Sequence, residues 1–207
     1  ARNLKLWKLI LEIIRPQDIK LIMEIIWNLI TGSNPHKKLF VFMGIPDTRK
    51  TTMMEIFTWI IGIENFSKED PKKFLGKNNQ FSTSQFVGKR GNLFDEIGNL
   101  TKEMIENQKA MVGGITQDTE AKNAQTRQPF DPKRFTFIYG TNTLGNNFSQ
   151  LADDKSIITR FEIIPFEKPV KKMNGMWESE FFNDADDKQS AINTIVNIVI
   201  QFKRSQY

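Results

Sequence analysis

The chain has 207 residues, enough for one domain that buries a core without covalent staples. It has no cysteine, which excludes disulfides, thiolate metal sites and cysteine nucleophiles, and its one histidine, His36, leaves little room for His-rich metal sites or triads. The formal net charge of +5 is mildly basic and suits a polyanionic partner without requiring one.

Taken in chain order, residues 3–14 and 17–30 read as two helices broken at Pro16. In the second, Lys20, Glu24 and Asn28 recur every four residues on one stripe. Nearly everything else there is apolar, which predicts a mostly buried helix. That stretch is too short and too interrupted by charge to span a bilayer, and no signal peptide is legible. The expected setting is therefore intracellular and cytoplasmic, with no membrane. The chain begins at Ala1 rather than Met, as a piece of a longer protein would.

Thr31-Gly-Ser-Asn-Pro35 reads as a turn. Leu39-Phe-Val-Phe-Met43 is a continuous apolar run that predicts a central buried strand, and 50–62 predicts a helix packed through Met53, Met54, Phe57, Ile60 and Ile61. Residues 63–90 are polar and mixed. A second strand is expected at Asn92–Asp95 and a helix at about 99–112, and 117–134 is polar without a convincing period. Phe135–Tyr139 and Phe161–Phe166 predict two more strands. The last helix, about 187–203, has Ile192, Ile195, Val196, Val199 and Phe202 on one face. Strands alternating with helices predict an α/β sandwich around a mostly parallel sheet.

Four stretches carry chemistry. Gly44-Ile-Pro-Asp-Thr-Arg-Lys50-Thr51 lies between the first strand and a helix, where a phosphate-binding loop must lie. Backbone N–H groups and the positive end of the helix would wrap the phosphates, with Gly44, Pro46, Asp47, Thr48, Arg49, Lys50, Thr51 and Thr52 around the nucleotide. Lys50 would neutralise β/γ oxygens and the Thr51 hydroxyl would bind Mg²⁺. Arg49 stands where the usual pattern has glycine. Leu93-Phe-Asp95-Glu96 is an apolar strand ending in two acids, with Asp95 suited to Mg²⁺ and Glu96 to general-base work. On its own such a pair is more often a solvated turn; after a phosphate loop the functional reading gains. Phe137-Ile-Tyr-Gly-Thr141-Asn142 ends a strand in an amide at the edge where α/β sheets bind ligands, where Asn142 could touch a γ-phosphate, although on its own such an Asn is more often turn-forming. Arg160, ahead of the last strand, could reach a neighbouring subunit's γ-phosphate or make a surface ion pair.

Together these stretches resemble the superfamily 3 helicases, virus- and plasmid-encoded AAA+ ATPases that act as rings on DNA. The branch most similar is the helicase half of phage, plasmid and poxvirus primase–helicases. Ser84-Gln-Phe-Val-Gly88-Lys89-Arg90, Lys109-Ala-Met-Val-Gly113-Gly114-Ile-Thr and Arg160-Phe-Glu-Ile-Ile-Pro-Phe carry the likeness, as do Arg15-Pro-Gln-Asp and Leu29-Ile-Thr-Gly32, over about residues 15–167. The resemblance implies a P-loop AAA+-like three-layer α/β sandwich. It divides into an N-terminal helical segment (1–33), an ATPase core (34–170) and a C-terminal helical segment (171–207).

The resemblance also implies ATP and Mg²⁺ as cofactors, Lys50 and Thr51 as the phosphate-loop pair and Asp95 as the magnesium acid. Glu96 and Asn142 match the catalytic base and sensor, and Arg160 a finger given in trans. Lys122 matches the lysine of a DNA-contacting hairpin, where Asn123 replaces a histidine of some members. Arg127 lies in the same basic stretch. Implied partners are single-stranded DNA or a replication fork, further copies forming a ring (usually a hexamer), and a primase or origin-binding domain of the same parent protein. Two alternatives stay open: a hydrolysis-impaired nucleotide- and DNA-binding scaffold, disabled at Arg49, and a non-unwinding P-loop NTPase for origin binding or packaging.

Overall fold

The structure, a computed structural model, describes residues 2–75, 82–98, 101–113, 117–119, 128–143, 155, 159–168 and 181–206. The first helix, α1 (Lys5–Ile13), buries Leu6, Leu9, Ile10 and Ile13, one face of a 3.6-residue period. It stops before Arg15, which is extended (φ −66°, ψ 145°) because it precedes Pro16. Helix α2 (Ile19–Thr31) ends at Gly32, whose φ of 60° gives the left-handed cap glycine adopts at little cost. The polar stripe expected on α2 does not face water throughout: Lys20 is exposed, but Asn28 is 1% exposed.

Five strands form one all-parallel sheet: β1 (Leu39–Met43), β2 (Phe66–Ser67), β3 (Gly91–Phe94), β6 (Thr136–Thr141) and β7 (Phe161–Pro165), in the order β2–β3–β6–β1–β7. Strand β1 is flanked by β6 and β7, so it is central, and Leu39 to Phe42 are all buried. Alternate residues feed the two faces. Phe40, Phe42 and Ile138 join the cluster of α1, α2, α3 (Lys50–Ile61) and the last helix, α6 (Ala185–Arg204). Leu39, Val41, Phe137 and Tyr139 join Phe74 of α4 (Pro71–Phe74), Phe86, and Ile105 and Val112 of α5 (Lys102–Gly113). A strand covered on both faces must be apolar at every position, which is why β1 is a run rather than an alternation.

The polar 63–90 segment supplies an element the periodicity does not reveal. Strand β2 is two residues long, pairs with Gly91 and Asn92 of β3, and is followed by α4. Within 117–134, β4 (Gln117–Thr119) and β5 (Gln128–Phe130) pair antiparallel, outside the main sheet. Helix α6 is capped by Asp184, which accepts from the Asp187 backbone N–H at 2.8 Å, and buries Ala191, Ile192, Ile195 and Val199. Asp187 in turn accepts from Lys5 Nζ and from Asn3 Nδ2, both at 2.6 Å, clasping the first helix to the last. The Asn183 backbone N–H and then Lys5 hold this carboxyl below the usual range. Among the described residues no helix is long and apolar enough to cross a membrane.

Candidate nucleotide site

Parallel strands bring all their C-terminal ends to one edge, and the loops leaving β1, β3 and β6 meet there. The loop after β1 runs from Gly44 to Arg49 and feeds directly into α3, whose first residue is Lys50. Its shape rests on two left-handed residues, Asp47 (φ 61°) and Arg49 (φ 65°). Thr48 is 2% exposed and its hydroxyl donates to the Ile45 carbonyl at 2.8 Å, tying the turn together. Pro46 and Asp47 are exposed and Thr52 is half-buried.

Lys50 is 9% exposed. Its ammonium donates to the carbonyls of Gly44 (2.5 Å) and Ile45 (2.9 Å) and to Asn142 Oδ1 (3.1 Å). Burial pulls its pKa below the ordinary lysine value, against the opposing pull of Asp95 and Glu96. A cation held in a place that disfavours its charge is suited to an anionic ligand, which would reverse the shift.

Thr51 Oγ1 donates to Asp95 Oδ2 at 2.6 Å, joining the start of α3 to the end of β3. Asn142 Nδ2 makes a long 3.5 Å contact with Glu96 Oε1. Thus Lys50 and Thr51 from the start of α3, Asp95 and Glu96 after β3, and Asn142 after β6 share one cluster. The close approach depends on Gly140, since a Cβ there would lie 2.2 Å from the Asp95 carbonyl oxygen. A glycine inside a strand pattern is the sequence signal for such an approach.

The donor set fits Mg²⁺ with a nucleotide. A hydroxyl and one carboxylate face each other, and among the described residues no cluster of three or more His, Asp or Glu could hold a metal by itself. Mg²⁺ is commonly held this way, by one or two protein oxygens with phosphates and waters completing the shell.

Arg49 does not turn into this cluster. Nη1 lies 3.8 Å from Glu12 Oε2 on α1, and Nε and Nη1 are buried with no hydrogen-bond partner. Nothing in the sequence marks Glu12, since α1 and the loop are distant along the chain. Arg160 lies at the opposite edge, just before β7. Its Nη1 donates to the Lys109 carbonyl at 2.7 Å, and its guanidinium covers Gly113 at the end of α5. At ~3.3 Å per residue, a five-residue strand separates it from the Lys50 cluster by roughly 15 Å. Lys122 and Arg127 lie outside the described residues, in the 120–127 connection between β4 and β5.

No family model matches the sequence, and no curated protein matches it. Solved structures do. The C-terminal region of NrS-1 (residues 305–718) superposes with a TM-score of 0.61 at 15% identity, over 93% of this chain and 44% of that one. JCV helicase with a bound small molecule gives 0.52 at 17% identity, over 91% of this chain and 51% of that one. The chain thus spans about half the length of the structures it matches. The parallel sheet with helices on both faces and these superpositions together give the chain a helicase-like P-loop α/β fold, shared with the NrS-1 C-terminal region and JCV helicase.

Proposed function

We propose that this chain is the motor core of an ATP-driven DNA helicase or translocase, hydrolysing ATP between the subunits of a ring, a hexamer, and moving single-stranded DNA, in a viral or plasmid replication setting. The observation that supports it best is the convergence of Lys50, Thr51, Asp95 and Asn142, made by the 2.6 Å Thr51–Asp95 bond and the 3.1 Å Lys50–Asn142 bond. Ordinary strand–turn–helix packing has no reason to gather a buried ammonium, a hydroxyl, two acids and an amide at one sheet edge.

In this reading the loop N–H groups and Lys50 hold the β/γ-phosphates. Glu96 takes a proton from the attacking water, and Asn142, within reach of both Glu96 and Lys50, orients it. Thr51 and Asp95 would hold Mg²⁺, which when bound would neutralise charge on the phosphate oxygens. Arg160 is too far from its own cluster to serve it. As a finger it serves a neighbour, exchanging its bond to Lys109 for the γ-phosphate. Lys122 and Arg127, between β4 and β5, contact the strand's phosphates.

The test is ATP turnover per subunit over a range of protein concentrations, with and without single-stranded DNA. Turnover that rises with both is expected. Turnover independent of protein concentration would remove the shared site. A second reading, a nucleotide- and DNA-binding scaffold with impaired hydrolysis, draws on Arg49, which takes a left-handed conformation costing roughly 1–2 kcal/mol for a side chain. Nucleotide binding with no turnover under any condition would favour it.

A further inference from the structure

The edge of the sheet opposite the nucleotide cluster holds a cleft of about 580 Å³. Its walls carry Lys89, Arg90 and Arg134, and its one carboxylate is Asp131. Asp131 Oδ1 already accepts from the Lys133 backbone N–H at 2.9 Å. Neither Arg90 nor Arg134 has an ion-pair partner among the described residues. The cleft is therefore cationic, over a floor made by the buried rings of Phe130 and Phe135.

Contacts place two of the cations and the backbone that carries the third. Lys89 Nζ donates to the Glu64 carbonyl at 2.6 Å, and the Arg90 guanidinium lies over Gly32 at the end of α2. The short turn carrying Arg134 is pinned from both sides. The Asn34 backbone N–H donates to the Lys133 carbonyl at 2.5 Å, and Asn34 Nδ2 donates to the Phe135 carbonyl at 3.2 Å. Arg134 itself is exposed. The location matters as much as the charge. Phe130 is the last residue of β5, so the cleft opens at the base of the β4–β5 hairpin, and the turn Asp131–Arg134 joins that hairpin to the sheet.

We propose that this cleft binds the phosphodiester backbone of a nucleic-acid strand, as a second contact beside the hairpin, through Arg134, Arg90 and Lys89. The proposal rests on the reading of the chain as acting on single-stranded DNA but not on its hydrolysing ATP. Several cations on pinned backbone around one cleft suit a row of phosphates, each neutralised at modest, sequence-independent gain. A cleft across the sheet from Lys50 can hold a strand while the nucleotide site is full or empty.

The test is anisotropy of a labelled oligodeoxythymidine with the whole chain, without nucleotide or Mg²⁺, across a salt series. Wild type, Arg134→Ala, Arg134→Lys and Lys122→Ala are compared, each checked for an unchanged melting temperature. Arg134→Ala is expected to weaken binding several-fold and to lower the slope of log affinity against log salt by about 1, while Arg134→Lys keeps most of both. Unchanged affinity and slope in Arg134→Ala would overturn the proposal. If Lys122→Ala then weakens binding, the hairpin reading survives without the cleft. Thymidine monophosphate or pyrophosphate competing as well as the oligonucleotide would also overturn it, by making the cleft a small-anion site. A wild-type chain that fails to bind the oligonucleotide sinks both DNA contacts and leaves the turnover assay to judge the ATPase alone.

Discussion

At the C-terminal edge of the sheet, Lys50 is buried among two carbonyls and an amide, faces Asp95 and Glu96, and has its pKa lowered. At the N-terminal edge, Arg90, Arg134 and Arg160 sit beside helix ends and turns. Both edges hold cations, but in different settings. One concentrates a single desolvated charge against acids, which suits chemistry on a compact anion. The other spreads exposed and half-buried charges over a wide surface, which suits an extended one or a neighbour. A parallel sheet makes this division possible, because every strand enters at one edge and leaves at the other.

The largest expected effect tests whether the edges cooperate between molecules. Arg160→Ala should lower ATP turnover by about 10³-fold with nucleotide binding near normal. Mixing it with Lys50→Met protein should restore part of the rate, since one subunit then supplies the loop and the other the arginine. A mixture as inactive as its components would argue that Arg160 acts only at the end of α5, where it also bonds Lys109. Lys50→Met alone should cost on the order of 10²-fold or more in turnover. It should also flatten the pH dependence of stability. The folded pKa of Lys50 lies below the ordinary 10.5, so between the two values the unfolded chain holds the extra proton and stability rises with pH. Denaturant melts across that window would show the slope in wild type and its loss in the variant.

Gly140→Ala should be smaller but clear, destabilising by about 1–3 kcal/mol in a urea melt, because its Cβ would meet the Asp95 carbonyl. A neutral result would mean β3 and β6 can separate without harm. The smallest change is Arg49→Gly. It removes left-handed strain of about 1 kcal/mol but also the contact with Glu12, so stability should move by less than about 1 kcal/mol. Turnover rising tenfold would show that the arginine restrains the loop.

Much of the C-terminal edge of the sheet is legible because its residues follow strand ends, and strand ends are marked by apolar runs. Lys50 and Thr51 follow from the loop between strand and helix, Asp95 gains its reading from that loop, Asn142 takes its place from the family resemblance, and the four do meet. What was not legible depends on partners far apart in sequence. Strand β2 is too short to show a period, and the chain after it is held by Asn92, which exchanges hydrogen bonds with the Glu69 backbone at 2.8 and 2.9 Å, a partnership no local pattern reveals. Asn28 sits at a polar position of α2 yet is buried, since burial of a helix face depends on what covers it. The Arg160–Lys109 bond and the Arg49–Glu12 contact join elements that no local pattern connects.

The clasp between Lys5, Asn3 and Asp187 has a mechanical consequence. It ties the first helix to the start of the last, on the side of the sheet that also carries α3. Tension passed into the chain through either terminal helix meets this tether and the packing around it before it reaches the strands. Because α1 also carries Glu12, 3.8 Å from Arg49 Nη1, a pull on the first helix reaches the loop after β1 through this side-chain contact as well as through the chain.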